Sequence, residues 1–365
     1  MQRRQFFWGT GIFLILVLIP GLLLAGSIRK QVFFVQSYEP GVGCGALIEK
    51  GLLKGLKDLG YEDGENIDIV RLSLKARMTN ITPEKIQKEA KDTIYRIRDK
   101  KPDLVVIFDD IACEHVMLPL AKTDIPIVFT GMNVSPEFYN TRREFMVSRA
   151  NPSFNITGVT EEADYIMMFR LMHRIFPRAR RFAVTYSCNT PFNVRMFNEF
   201  QEQAGKIEKS CQLSMVAVQP VGTVHDFKQV VSRFNGAKDI DFVFDLCLSS
   251  LLDDQGKVAP VNQVIQWMSL NQKKPGCTFL DSRVKEGYLT GTVINLEECG
   301  RQASRQVVQI LEGANPGDLP IERPADIYIA VNRARAEHLG IKLPGDIIEA
   351  AKVVYHVLPA KPKRQ

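Results

Sequence analysis

Short, continuously apolar runs alternate along this chain with longer stretches whose apolar residues recur every three or four positions. Val32 to Val35, Ile67 to Val70, Leu104 to Phe108 and Ile125 to Phe129 are runs of the first kind. Strands apolar throughout belong to parallel sheets covered on both faces. Ile48, Leu52, Leu56 and Leu59, and then Ile86, Ala90, Ile94 and Ile97, give helical stripes between them. Thr82-Pro83 predicts an N-cap and first helical residue for the second stripe. Residues 134–156 break the rhythm with Pro136, Asn140, Asn151-Pro152 and Asn155, and read as a crossing between domains. The alternation then resumes. Strands are predicted at Arg181 to Tyr186, Leu213 to Val218, Phe242 to Phe244, Cys277 to Leu280, Thr292 to Ile294 and Ile327 to Val331. A helix face is carried by Phe197, Phe200, Ala204 and Ile207. Another, with Ala303, Val307 and Ile310, stops at Gly313, and a short C-terminal helix is predicted after the last strand. The pattern predicts an α/β protein of two doubly wound lobes.

In such sheets ligands meet the chain beyond the carboxyl ends of the strands. The run at Leu104 to Phe108 stops there at Asp109-Asp110, and the next stops at Thr130-Gly131-Met132-Asn133. Ser187-Cys188-Asn189-Thr190-Pro191 follows a strand in the second half. Asn189 or Thr190 can cap the helix that begins at Pro191, and free N–H groups there attract an anion. Asp109 and Asp110 on the opposite lip favour an ammonium or a hydroxyl donor. Together the lips suggest a zwitterionic or hydroxylated ligand, with Tyr38 or Phe192 available to stack on an apolar part. Each motif also has a purely structural reading: capping for the Asn189-Thr190 pair, dipole stabilisation for the two aspartates, and core packing for the aromatics.

The N-terminus adds a location. Arg3-Arg4, a mostly apolar run from Phe6 to Ala25, and Ala25-Gly26-Ser27 make a secretory signal, with the mature chain expected near Ile28. The run also approaches the ~20 residues that span a bilayer, so an uncleaved membrane anchor is the alternative for residues 1–27. The flanking arginines put everything after it outside the cytoplasm. The formal charge of +6 is small, and Arg178, Arg180 and Arg181 read as a solvated helix end, so no nucleic-acid partner is expected. The seven cysteines lack C-x-x-C spacing, which argues against a disulfide framework or a zinc site; no metal and no cofactor are expected. Enzyme signatures are poor. The five histidines are scattered, no G-x-S-x-G elbow occurs, and Gly41-Val42-Gly43-Cys44-Gly45 lacks the spacing and lysine of a phosphate loop. Those glycines suit close approach of the backbone to a ligand.

The ordered set "LGYEDGENIDI", "KPDLVVIFDD", "TDIPIVFTGMN", "NITGVT", "LEGANPGDLPIERP" and "YIAVNRARAEHLGIKLP" resembles the ABC-transporter substrate-binding family of type I periplasmic solute-binding proteins, which includes tryptophan- and tyrosine-binding members. The likeness covers nearly all of the chain after the signal. It implies two lobes joined by three hinge crossings near 132–156, 292–296 and 322–326. The N-lobe would comprise 28–132 plus 296–322, and the C-lobe 133–291 plus 323–365. The family's cleft loops fall on Ser37 and Tyr38, Asp109 and Asp110, Gly131 and Asn133, Ser187, Asn189 and Thr190, Asp245, and Asn295. The expectation is a periplasmic, non-enzymatic, monomeric protein handing a small molecule to an ABC permease in the inner membrane. "FDDIACEHV" departs from the small hydroxyl residues of the transport members and looks closer to sensory relatives, which makes a sensory membrane partner the alternative.

Overall fold

The computed structural model describes residues 29–80 and 82–358; the expected signal or anchor at 1–27 lies outside them. Two sheets organise the chain. The first is wholly parallel: β1 (Lys30–Gln36), β2 (Ile67–Ser73), β3 (Leu104–Phe108), β4 (Ile127–Met132) and β5 (Ile156–Thr160), in spatial order β2-β1-β3-β4-β5. The second orders β6 (Arg181–Ser187), β7 (Ser214–Val221), β8 (Phe242–Asp245), β9 (Gly276–Thr278), β10 (Thr290–Ile294), β11 (Ile327–Asn332) and β12 (Ala351–Tyr355) as β12-β11-β10-β9-β8-β6-β7. Only the β10–β11 pairing is antiparallel. Every residue of β3 and β4 is buried, as continuously apolar strands require.

The helices are α1 (Cys44–Asp58), α2 (Pro83–Lys100), α3 (Asp109–Ala112), α4 (Pro136–Arg142), α5 (Tyr165–Ile175), α6 (Pro191–Cys211), α7 (Val224–Gly236), α8 (Val261–Asn271), α9 (Asp281–Glu286), α10 (Leu296–Leu311), α11 (Arg333–His338) and α12 (Gly345–Ala350). The first stripe buries Ile48, Leu52 and Leu56, whereas Leu59 closes the helix as its C-cap and is exposed. Thr82 caps α2 ahead of Pro83, and Gly313, just past the end of α10, takes φ 106°, a left-handed value open to glycine. α10 lies against α1 through glycines: a Cβ on Gly51 would strike the Glu297 carbonyl, and one on Gly300 the Ile48 carbonyl. The segment 296–311 therefore belongs to the first lobe although more than a hundred residues of the second precede it.

β5 changes the expected layout. It pairs with β4 from Ile127↔Ile156 to Met132↔Thr160, so the first sheet continues past residue 132 to Thr160. The passage at 134–156 is an excursion within the first lobe, holding α4, and not the crossing. No strand is predicted at Ile156–Thr160, where Gly158 sits in the middle of the segment. Gly158 is there because a Cβ would collide with the Phe129 carbonyl and ring. The first crossing falls at residues 161–164, between β5 and α5, which packs on α6 and β10. The chain leaves β10 for α10 at Asn295 and reaches β11 through 323–326. Among the described residues no helix is long and apolar enough to cross a membrane.

Candidate functional site

The carboxyl ends of β1, β3, β4 and β5 meet where the crossings leave the first lobe, and the site grows from them. Ser37, just past β1, is fully buried. Its hydroxyl donates to the Phe108 carbonyl (2.7 Å) and accepts from the Ala112 N–H (2.9 Å), pinning the β3–α3 turn. Asp109 begins α3 at φ +66°, a left-handed conformation that Asp tolerates better than most residues. It is buried, and its Oδ2 has no hydrogen-bond partner. Burial first, then the neighbouring Asp110 charge, pushes its carboxyl up to about 8, while Arg77 pulls the other way.

Asp110 has the opposite character. Its oxygens accept from Asn133 N (3.0 Å), Asn133 Nδ2 (3.2 Å), Val134 N (3.1 Å) and Tyr139 Oη (2.9 Å). These bonds favour the ionised form, yet burial keeps its carboxyl above the ordinary range. Asp110 thus clamps the turn after β4. Neither aspartate caps α3 through its side chain; the N-cap is Phe108, with both carboxylates in the first turn. Asn133 holds Asp110 and the Gly131 carbonyl, and Gly131 takes φ +76° at an irregularity in the β4–β5 register. Tyr38 lies against Asp109, which helps burial raise its hydroxyl well above the usual range. The Arg77 guanidinium stands 6.0 Å from the Tyr38 ring centroid.

A residue unnoticed in the sequence completes this lip. Glu161, the first residue of the first crossing, is 2 % exposed, and its Oε2 has no partner. Its backbone N–H donates to the Met132 carbonyl (2.7 Å). Burial foremost, then the charges of Asp109 and Asp110, hold its carboxyl well above the ordinary range, against the Cys44 thiol beside it. No local pattern marks it: the sequence shows only Glu161-Glu162, and β5 had to be placed first. Its neighbour Glu162 points elsewhere, bonding Arg149 (3.0 Å) and pairing with Arg323 (3.6 Å) of the third crossing.

The second lobe's lip consists of groups already engaged, except that Asp245 Oδ2 has no hydrogen-bond partner. Thr190 caps α6 by accepting from Asn193 N (3.2 Å). Asn189 donates to the Gly222 and Ser250 carbonyls, both at 2.6 Å, and Ser187 shares a hydrogen bond with Ser250 (2.6 Å). Asp245 lies deeper, bonded by Thr185 and facing the fully buried Arg335; burial lifts its carboxyl to about 6, and burial likewise lowers the Arg335 guanidinium to about 10. Asn295 is the cap of α10 and also a clip between crossings: its N–H donates to the Asp326 carbonyl (3.0 Å) and its Nδ2 to the Asp326 carboxylate (2.7 Å). The lobes meet at the rim. Glu114 accepts from Arg195 (2.9 Å), and Glu199 accepts from Ser135 N and Oγ, both at 2.9 Å.

The expected residues therefore divide. Tyr38, Asp109, Asp110, Gly131 and Asn133 surround one site with Glu161; Ser187, Asn189 and Thr190 form the facing lip; Ser37 and Asn295 hold backbone; and Asp245 is committed to its own sheet. Phe192 is partly buried against the apolar core. Among the described residues no group of three or more His, Cys, Asp or Glu has the geometry of a metal site.

Two α/β lobes joined by three short crossings, with ionisable groups at the strand ends between them, define a two-lobed solute-binding protein of the periplasmic type. The family model for ABC transporter substrate binding proteins matches residues 44–355, and the chain belongs to that family. Such proteins take a small-molecule ligand, have a permease partner, and are typically extracytoplasmic. A tyrosine-binding protein of Clostridioides difficile (strain R20291) is 24% identical over 326 residues, 86% of this chain and 85% of that protein. In fold the chain resembles an ABC domain in complex with L-Trp from Streptococcus pneumonia, with a TM-score of 0.68 and 20% identity over 89% of this chain and 99% of that one. A ligand-free, open substrate binding protein with adhesive properties from Clostridium difficile gives a TM-score of 0.67 at 21% identity, over 89% of this chain and 99% of that one.

Proposed function

We propose that the protein captures a small amine-bearing ligand between its lobes, outside the cytoplasm, and delivers it to the permease of an ABC importer. The observation that carries this reading is Asp109: a buried carboxylate at a strand end, in a left-handed backbone conformation, with one oxygen lacking any partner. An unpaired buried carboxylate is costly in the empty protein and is compensated when an ammonium supplies the missing donor. Strained backbone of this kind clusters at ligand clamps. The tyrosine-binding relative and the L-Trp complex support an amino-acid-like ligand. Its carboxylate would face the start of α6, whose dipole favours an anion.

The mechanism is capture and closure. The crossings are short and are tied to one another by Asn295–Asp326, so the lobes move as rigid bodies, and the Glu114–Arg195 and Ser135–Glu199 contacts hold the closed rim. Calorimetry with L-tyrosine and L-tryptophan, beside mass spectrometry of whatever co-purifies, tests the ligand class; the ligand is expected back chemically unchanged. Small-angle scattering should show compaction on saturation, and an unchanged radius would count against closure. Ligand-dependent stimulation of the cognate transporter's ATPase in proteoliposomes tests delivery, and its absence would favour a sensory partner.

A further inference from the structure

We propose that Glu161 is a second ligand-binding carboxylate, which shares a primary ammonium with Asp109 and so anchors the ligand to the first crossing. The inference rests on the capture reading and adds the residue and the ammonium class. Three observations on different elements carry it. Asp109 and Glu161 are 4 % and 2 % exposed, and each keeps one oxygen, Oδ2 and Oε2, without a hydrogen bond. Buried carboxylates ordinarily have partners, so two orphaned oxygens on neighbouring elements call for a shared donor.

The space in front of them is shaped by glycine. A Cβ on Gly131 would lie 3.5 Å from Asp109 N and 3.6 Å from Glu161 Oε2, and one on Gly45 would lie 3.1 Å from Asp109 Oδ2. A side chain at Gly45 would strike the Gln36 side-chain carbonyl oxygen first and then press on Asp109, whereas one at Gly131 would meet Ile48 first and reach Glu161 at ordinary contact distance. The charged and titratable groups around Glu161 are also mostly acidic. They are Asp109 and Asp110 on α3, Cys44 on α1 and Cys299 on α10. The cation acting on this group of residues is Arg77, whose field reaches Asp109, Cys44 and Tyr38 and which forms no ion pair among the described residues. One added positive charge would compensate this side of the cleft.

The ligand class follows from donor counting. Two carboxylates with one free oxygen each need at least two N–H donors from one cation. A primary ammonium has three, whereas a quaternary ammonium has none. Because Glu161 begins the crossing and its N–H is held by the end of β4, an ammonium bridging it to Asp109 would fix the crossing against the first sheet. Ligand charge and hinge position would then be coupled through one side chain.

The test has two arms on the full-length protein. In the ligand-free protein, Glu161→Gln should raise the melting temperature, and the rise should grow as pH climbs above the ordinary carboxylate range, where the unfolded carboxyl ionises while burial holds the native one protonated. A lowered melting temperature at pH 9 would mean that Glu161 is structural and would overturn the inference. In the second arm, tyramine, putrescine and L-tyrosine are compared with tetramethylammonium and the des-amino analogue of tyrosine by thermal shift and calorimetry. At least one primary amine should bind wild type and lose about tenfold or more in affinity in Glu161→Gln, a loss typical of a charged hydrogen bond. Equal affinity in the variant, or failure of all three amines to bind wild type, would overturn it. Binding and scattering compaction with the des-amino analogue alone would leave the capture reading standing while the ammonium site falls.

Discussion

The two lips of the cleft are built from the same kind of material, polar residues at the carboxyl ends of parallel strands, and are put to opposite uses. On the second lobe, Asn189 donates to two carbonyls, Thr190 caps a long helix and Ser187 is bonded to Ser250. Each is matched within the protein. On the first lobe Asp109 and Glu161 are left with unmatched oxygens while Asp110, one residue away, accepts four hydrogen bonds. A strand end can thus be fully engaged or left open, and the difference lies in unsatisfied hydrogen-bonding capacity. Residue type does not reveal it.

The largest expected effect falls on the scaffold aspartate. Asp110→Ala strands the buried Val134 N–H and the Tyr139 hydroxyl, and should cost about 3–4 kcal/mol of stability in a denaturant melt. A loss below about 1 kcal/mol would erase the contrast with Asp109. Next comes Asp109→Asn, which keeps the left-handed backbone accessible and removes the charge. Affinity for an amine ligand should fall about ten- to a hundredfold in calorimetry, with no loss of stability. Full affinity with a lowered melting point would make Asp109 a structural residue like its neighbour. Asn189→Ala should lose about 1–2 kcal/mol of stability and change affinity little; a large affinity loss would give the second lip a direct role in binding.

The smallest effect is a pH dependence. Asp109 is held at about 8 in the folded chain against an ordinary 3.8. The native state therefore binds the proton more tightly than the unfolded one. Its contribution is fully present below about pH 4 and is lost as pH rises through 8. The melting temperature of the ligand-free protein should decline across that window, less steeply in Asp109→Asn, and a cationic ligand should release protons on binding near pH 7. Identical slopes for wild type and variant would locate the titration elsewhere, Glu161 and Asp245 being other carboxyls that burial raises.

Much of the architecture was legible because burial imposes periodicity. The runs at Leu104 to Phe108 and Arg181 to Tyr186, the caps at Thr82 and Thr190, and the glycine after α10 all carry local signals that the structure obeys. β5 escaped because its mid-strand glycine answers to Phe129 on the neighbouring strand, which no local reading supplies. With β5 went the true first crossing, and with the crossing went Glu161. The aspartate pair was visible as a place. Which member clamps and which stays open depended on Asn133, Val134 and Tyr139, residues brought to Asp110 by the turn after β4.

The glycine seam between α1 and α10 bears on the order in which the molecule is made. α1 emerges early in synthesis with a face shaped for a helix that starts at Leu296, after the intervening second-lobe segment has been translated. Until then the first lobe lacks the helix that covers this face of its sheet. Closing that seam is a long-range step of the slow kind. In a family that is typically extracytoplasmic, such delay would keep the polypeptide threadable, with completion deferred until almost the whole length is available.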